Sequence, residues 1–312
     1  MWSRREFLKN SVIAGGLATA AGNPLEAFGN LEAGQALCIL HTNDVHSRVE
    51  PFPPDDKKYP GMGGAAMRAS LFEQLKQENE HTLIVDAGDI FQGTPYFNFF
   101  HGDIEIDLMN QMGYEAATIG NHDFDGGLEM LSKQIGRAHF PFVNCNYDFS
   151  DTVVAGKVHP RVIIKKGRIK IGLTGCGVEL NGLVPDKLYG DTKYADPVKN
   201  VQQQVDILKY DEGCHLIICL SHLGYKYDNQ KVSDITLAQN TSHIDLIIGG
   251  HTHTFLDQPQ LIQNNLGKNV VINQVGWAGL QIGKLEYFFE KNSKKNLSKS
   301  HTVIVAEKSI EK

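Results

Sequence analysis

The sequence predicts an α/β protein, and three observations carry that expectation. Beyond residue 35, short apolar runs recur that are nearly continuous in hydrophobicity, as strands buried on both faces are. Segments with helical spacing lie between them, the alternation of α/β architectures. Five of the runs also end in Asp, Asn or His. Ligands gather outside the carboxyl ends of strands in open α/β sheets, so these endings are candidate chemistry.

In chain order the strand candidates are "ALCILHTND", "HTLIVDAGD", "AATIGNHD", "HFPFVNCN", "HLIICLSH" and "DLIIGGHTH". Ala65 to Glu78 runs without Pro or Gly and predicts a helix. Gly127 to Ile135 predicts another, with Leu128, Leu131 and Ile135 at helical spacing. Asp196-Pro197 opens a third as N-cap and first residue, with Val198, Val201, Val205 and Leu208 on one face. "HPRVIIKKGRIKIGLTGCG" reads as a hairpin turning at Lys166-Gly167. The Pro/Gly-rich, charged stretch from Glu50 to Gly64 reads as a surface loop. "NVVINQVGWAGLQIGKLEYFFE" and "SHTVIVAEK" carry strands with no helix between them, expected to finish a second sheet. The aromatic run Tyr96, Phe97, Phe99 and Phe100 is read as core.

Composition limits the function classes. The chain has 312 residues and a formal net charge of −6, so nothing favours nucleic acid or an anionic membrane as partner. No apolar run reaches the roughly 18 residues of a bilayer-spanning helix. The five cysteines (Cys38, Cys145, Cys176, Cys214 and Cys219) are odd in number and scattered, which is not a disulfide framework. At the start, Arg4 and Arg5 precede Phe7, Leu8, Lys9 and the short apolar stretch Ser11 to Ala21, with Ala18-Thr19-Ala20 as a cleavage site. The order S-R-R-x-F-L-K resembles the twin-arginine export signal, an address read by a receptor. The expectation is a signal over residues 1–20, with processing anywhere up to about residue 30, a catalytic domain over 36–312, and a periplasmic or extracellular destination.

The strand endings supply Asp44 and His46, then Asp89, then Asn121, His122, Asp123 and Asp125, then His222, and last His251 and His253. Mixed carboxylate, imidazole and amide donors suit Zn²⁺, Mn²⁺ or Fe better than Ca²⁺ or Mg²⁺. Seven candidate ligands (Asp44, His46, Asp89, Asn121, His222, His251 and His253) exceed one tetrahedral ion but fit two ions sharing a carboxylate. Two such ions about 3.5–4 Å apart clamp the attacking and leaving oxygens of a phosphoryl displacement and make bridging hydroxide available at neutral pH. Gly88, Gly93, Gly120, Gly249 and Gly250 flank the clusters, where absent Cβ atoms permit sharp turns. The other eight histidines, such as His41 and His101, are read as structural.

Taken together, D-x-H (Asp44, His46), G-D-x-x-x-G (Gly88 to Gly93), G-N-H-D (Gly120 to Asp123), a lone His222 and G-H-x-H (Gly250 to His253) resemble the five blocks of the calcineurin-like metallophosphoesterases. "GDIFQGTPYFNFFHG" and "TIGNHDFDGG" are similar to the 5′-nucleotidase / 2′,3′-cyclic phosphodiesterase branch, and the likeness runs from about residue 36 to 288. The resemblance implies a four-layer αββα sandwich. It implies that Asp44, His46 and His253 hold one divalent cation, that Asn121, His222 and His251 hold a second, and that Asp89 bridges both. It implies that His122 is the catalytic histidine, oriented by Asp125, with Asp123 just outside the ligand set. The implied activity is hydrolysis of phosphate esters, foremost of 5′-nucleotides, by attack of a metal-bridging hydroxide. A 2′,3′-cyclic phosphodiesterase, a thiosulfate-ester hydrolase of the same superfamily and a non-catalytic subunit of a two-chain nucleotidase are the alternatives. The branch usually adds a nucleoside-gripping C-terminal domain; the chain ends at Lys312, so that domain is expected to be absent, with a separate partner chain to supply it, a different substrate or loose selectivity as the competing explanations and the first of them preferred. Trp277, where the family continues the wall of its metal site, is given no role.

Overall fold

Side-chain alternation along the first strand sorts the molecule into layers. In β1 (Gln35–Thr42), Leu37 and Ile39 lie on one face, Cys38 and Leu40 on the other. The first pair packs with Ile171, Leu173, Ile218 and Ile248 of a second sheet. The second pair packs with Leu71, Phe72, Ile106 and Leu131 beneath helices. Both faces are therefore dry, which is why the run is hydrophobic throughout. Each fully buried Leu or Ile contributes roughly 1.5–3 kcal/mol.

The structure, a computed structural model, describes residues 34–290 and 295–305. The expected export signal at 1–20 lies outside the described residues. The remaining strands are β2 (Thr82–Asp86), β3 (Ala116–Ala117), β4 (Phe142–Val143), β5 (Tyr147–Asp148), β6 (Val158–His159), β7 (Arg161–Lys166), β8 (Ile169–Gly177) and β9 (Lys193–Tyr194). They continue with β10 (Leu216–His222), β11 (Leu246–Gly249), β12 (Gln260–Gln263), β13 (Asn269–Asn273), β14 (Gln281–Phe289) and β15 (Lys295–Ile304). One sheet runs β15-β14-β1-β2-β3-β4-β6 and the other β12-β13-β11-β10-β8-β7, while β5 and β9 pair separately. From β1 to β6 the first sheet is parallel, as is the second from β8 through β10 and β11 to β13.

Helices α1 (Ala65–Glu78), α2 (Pro95–Phe100), α3 (Asp103–Met112) and α4 (Gly127–Arg137) cover the first sheet. After the short α5 (Asp186–Tyr189), α6 (Pro197–Asp206) and α7 (Asp234–Asn240) cover the second through Val201, Val205, Leu237 and Ala238. The order helix, sheet, sheet, helix is the expected αββα sandwich. Asp196 caps α6, its Oδ1 accepting from Val198 N (2.9 Å) and Lys199 N (3.2 Å). The hairpin closes at Lys166↔Ile169, with Gly167 at φ 53°.

Three expectations need correction. The last strands do not all finish the second sheet: β12 and β13 do, whereas β14 and β15 return to the first sheet beside β1. The runs at 116–123 and 139–146 yield only two strand residues each. Pro141 has no N–H to give to a ladder, and a 3₁₀ turn over His122–Phe124 follows β3 closely. The aromatic run is split as well. Phe97 is buried and stacks on Phe91, but Phe99 is 76% exposed and Phe100 47%, because the six-residue α2 buries a single side. No disulfide forms among the described residues, and the cysteines are buried except for the half-buried Cys145.

The two sheets approach closely at Gly175. A Cβ there would meet Val143 O and Thr118 Oγ1, and Gly175 O accepts from Cys145 N at 2.8 Å. Gly175→Ala should therefore destabilise the fold by about 1–3 kcal/mol through overpacking against backbone. Chemical denaturation would register this as a lower midpoint at unchanged slope.

Candidate metal centre

Strands from both sheets deliver the candidate residues to one place. β1 and β2 lead into Asp44, His46 and Asp89; β3 leads into Asn121 and His122; β10 ends at His222; β11 leads into His251 and His253. Asp44, His46, Asp89 and His253 each offer a ligand atom, and these atoms lie within 4.8 Å of one another. Asp89, His222 and His251 form a second such group, so Asp89 belongs to both. The contacts are close. His46 Nε2 lies 3.0 Å from His253 Nε2, His253 Nε2 3.4 Å from Asp44 Oδ1, His222 Nε2 3.0 Å from Asp89 Oδ2, and His251 Nδ1 2.7 Å from Asn121 Oδ1. All seven expected ligands are thus together.

The charge balance of this cluster suits divalent cations. Asp44 and Asp89 are 0% and 1% exposed, and among the described residues no Lys or Arg pairs with either. Isolated buried carboxylates are costly unless countercharge is supplied. Burial works against a charged His222, but Asp89 and Asp44 outweigh it and raise this imidazole to about 10. Burial pushes His251 down to about 4, leaving it neutral with a lone pair to give. His222 Nε2 is fully buried without a well-aligned hydrogen bond. Two carboxylates, four imidazoles and an amide fit divalent cations of the Zn, Mn or Fe type.

The backbone here is strained. Asp44, His46, Asp89, His251 and His253 all have φ between 50° and 73°, the left-handed region that residues with a Cβ avoid. Sequence reading assigned the sharp turning to glycines, and Gly88 and Gly93 do adopt positive φ, yet the candidate ligands share it. Gly120 matters for a different reason: a Cβ there would collide with the Asp89 carboxylate.

Buried polar residues hold the strained loops in place. Asp123 accepts from the backbone N–H groups of Asp89 (3.0 Å), Ile90 (2.8 Å), Phe91 (3.1 Å) and Gly120 (2.8 Å), joining the turns after β2 and β3. Asn43 Nδ2 donates to Asp44 Oδ2 (2.6 Å) and Gly276 O (2.7 Å), and Gln274 ties Gly250 O to Thr254 N. Sequence reasoning missed Asn43 and Gln274. Their signal was an amide side chain directly after an apolar strand, which spacing alone does not distinguish from a turn residue.

At the rim, His122 Nδ1 lies 2.8 Å from Asp125 Oδ2, and the His122 side chain is 40% exposed. That hydrogen bond is the main cause holding the His122 imidazole above its ordinary pKa. His122 N donates to Asp89 Oδ1 at 2.8 Å, so the pair is fixed against the ligand cluster. Asp123→Ala should strand four backbone donors and unfold the centre from within. The expected loss is several kcal/mol, since each buried unsatisfied group costs about 1–3 kcal/mol, and thermal melts of the metal-free chain would measure it.

Residues 38–255 match the family model described as Calcineurin-like phosphoesterase. The chain is 33% identical over 285 residues to the snake venom 5′-nucleotidase of Crotalus adamanteus, covering 85% of this chain and 47% of that protein. It superposes on the crystal structure of a 5′-nucleotidase precursor from Thermus thermophilus with a TM-score of 0.77 at 30% identity, covering 86% of this chain and 54% of that one. For the calcineurin-like phosphoesterase YfkN from Bacillus subtilis the TM-score is 0.71 at 26% identity, with 88% and 92% covered. The chain spans about half the length of the curated relatives it matches. With the family model extending over most of the sandwich and both groups of candidate ligands, the chain belongs to the calcineurin-like phosphoesterase family.

Proposed function

We propose that the chain is a metal-dependent phosphoric ester hydrolase acting on nucleotides, with 5′-nucleotides as its principal substrates. The observation that carries this reading is the pair of ligand groups sharing Asp89, set beside the His122–Asp125 pair. The relatives named 5′-nucleotidase favour nucleotides as the substrate class. In this reading Asp44, His46 and His253 hold one cation, Asn121, His222 and His251 the other, and Asp89 both.

Two divalent cations in such a site supply Lewis-acid stabilisation of phosphoryl charge and a lowered pKa for water. The chain's own groups do the rest. Burial of Asp44 and Asp89 keeps bulk water from competing for the cluster. Asp125 binds His122 at Nδ1, which leaves Nε2 to face the ester. The bond to Asp125 favours the protonated imidazole, which can offer a proton there. As the water oxygen bonds to phosphorus, gives its proton up to solvent and the ester P–O bond breaks, the His122 proton passes to the departing oxygen or stays and steadies charge on the phosphoryl group. His122 can do this because, unlike the buried cluster, it stands at the solvent edge.

We also propose that residues 1–20 direct export by the twin-arginine route, on the strength of S-R-R-x-F-L-K. A chain with Arg4→Lys and Arg5→Lys should then remain in the cytoplasm on cell fractionation. Among the described residues no helix is long and apolar enough to cross a membrane.

The direct test of the activity is a hydrolase panel on purified protein with added Mn²⁺, Zn²⁺ or Mg²⁺. It should include AMP, a 2′,3′-cyclic nucleotide, bis(p-nitrophenyl) phosphate and a thiosulfate ester. AMP is expected to give the highest kcat/KM; dominance of the cyclic or sulfur substrate would reassign the chain, and bound metal without turnover would make it a binding subunit. Asp89→Asn should abolish activity and lower metal content by elemental analysis. His122→Ala should cut kcat by about 10²–10⁴-fold with metal content retained, and an empty His122→Ala protein would place this residue among the ligands instead.

A further inference from the structure

We infer that Trp277 is a positioning residue which holds the His253 imidazole in its ligating orientation; the inference rests on the metal-centre reading above. A histidine ring needs something to choose its plane, because the χ2 torsion is broad. For two candidate ligands a backbone carbonyl does so: His46 Nδ1 lies 3.2 Å from Gln92 O and His222 Nδ1 2.7 Å from Ala87 O. Among the described residues His253 has no bond of that kind, and at 39% exposure its side chain is far more open than those of His46 or His222.

The indole of Trp277 takes that place. It lies nearly parallel to the His253 ring, at an interplanar angle of 7° and a centroid distance of 5.7 Å, an offset stack. The indole is braced in turn. Phe52 meets it edge-on at 5.9 Å, and Phe52, Ala278 and Leu280 form a small buried cluster around it with Tyr59 and Met62. Its backbone is tied to both loops that matter, since Gly276 N donates to Thr254 O (2.9 Å) and Ala278 N to Asp44 O (2.7 Å). Ala278 is held at φ 56°, so the turn that aims the indole is itself strained. The platform under His253 is therefore registered to Asp44, its partner in the same ligand group.

If Trp277 only capped the small cluster, any apolar side chain of similar bulk would serve. Two variants separate the roles: Trp277→Phe keeps a flat ring, and Trp277→Leu keeps apolar packing without one. On the chelator-stripped full chain, calorimetric titration with Mn²⁺ should show two binding events in the wild type. Trp277→Leu should weaken one of them about 10–100-fold and leave the other unchanged, while Trp277→Phe stays within a few-fold of wild type. The chain has two tryptophans, Trp2 and Trp277, so on a Trp2→Phe background Mn²⁺ should quench the Trp277 emission as the sensitive event saturates. The inference is overturned if Trp277→Leu binds both ions like wild type, weakens both equally, or matches Trp277→Phe. A wild-type chain that takes up no Mn²⁺ overturns the metal centre and this inference together, whereas two bound ions with an indifferent Leu variant overturn Trp277 alone.

Discussion

Two buried carboxylates that no Lys or Arg pairs with among the described residues, Asp44 and Asp89, sit at the meeting point of two sheets, and the rest of the design answers to them. Removing a carboxylate from water costs far more than one hydrogen bond returns, so each must be solvated by something the fold supplies. The structure supplies imidazoles and backbone N–H groups: His251 N donates to both Asp44 oxygens (2.9 and 3.1 Å), and His122 N to Asp89 Oδ1. The Asn43 amide adds a further donor to Asp44 Oδ2 (2.6 Å), and on the proposed reading divalent cations join these partners.

The αββα sandwich is suited to this arrangement for a geometric reason. Parallel strands end their polar backbone on one side of a sheet, and here both sheets present that side to the same point. β1, β2 and β3 contribute from one sheet, β10 and β11 from the other. The apolar layer between them, including Leu37, Ile39, Leu173, Ile218 and Ile248, fixes their separation. Interiors pack too densely for that layer to yield, so the strain at Asp44, Asp89 and His251 persists instead of relaxing. Asp123, Asn43 and Gln274 act as local ties across the same gap.

Burial falls off from the cluster to its rim, and the change divides the work. The ligand candidates His46 and His222 are shielded, with carbonyls choosing their ring planes. His122 stands partly exposed at the rim, its pKa raised by the hydrogen bond to Asp125. His253 lies between these cases, partly exposed and supported by a stacked ring.

Much of this was legible in the chain itself. Strand runs buried on both faces must be apolar throughout, and ligands at strand ends must be Asp, Asn or His, so composition and order alone revealed the α/β class and all seven ligand candidates. The helix over Ala65–Glu78 and the Asp196 cap were equally readable, because each depends on residues a few positions apart. What the tertiary structure decided was non-local. The return of β14 and β15 to the first sheet depends on pairing with β1, more than two hundred residues away. The exposure of Phe99, the left-handed backbone at the ligands and the stack of Trp277 on His253 likewise depend on distant neighbours, which local pattern does not encode.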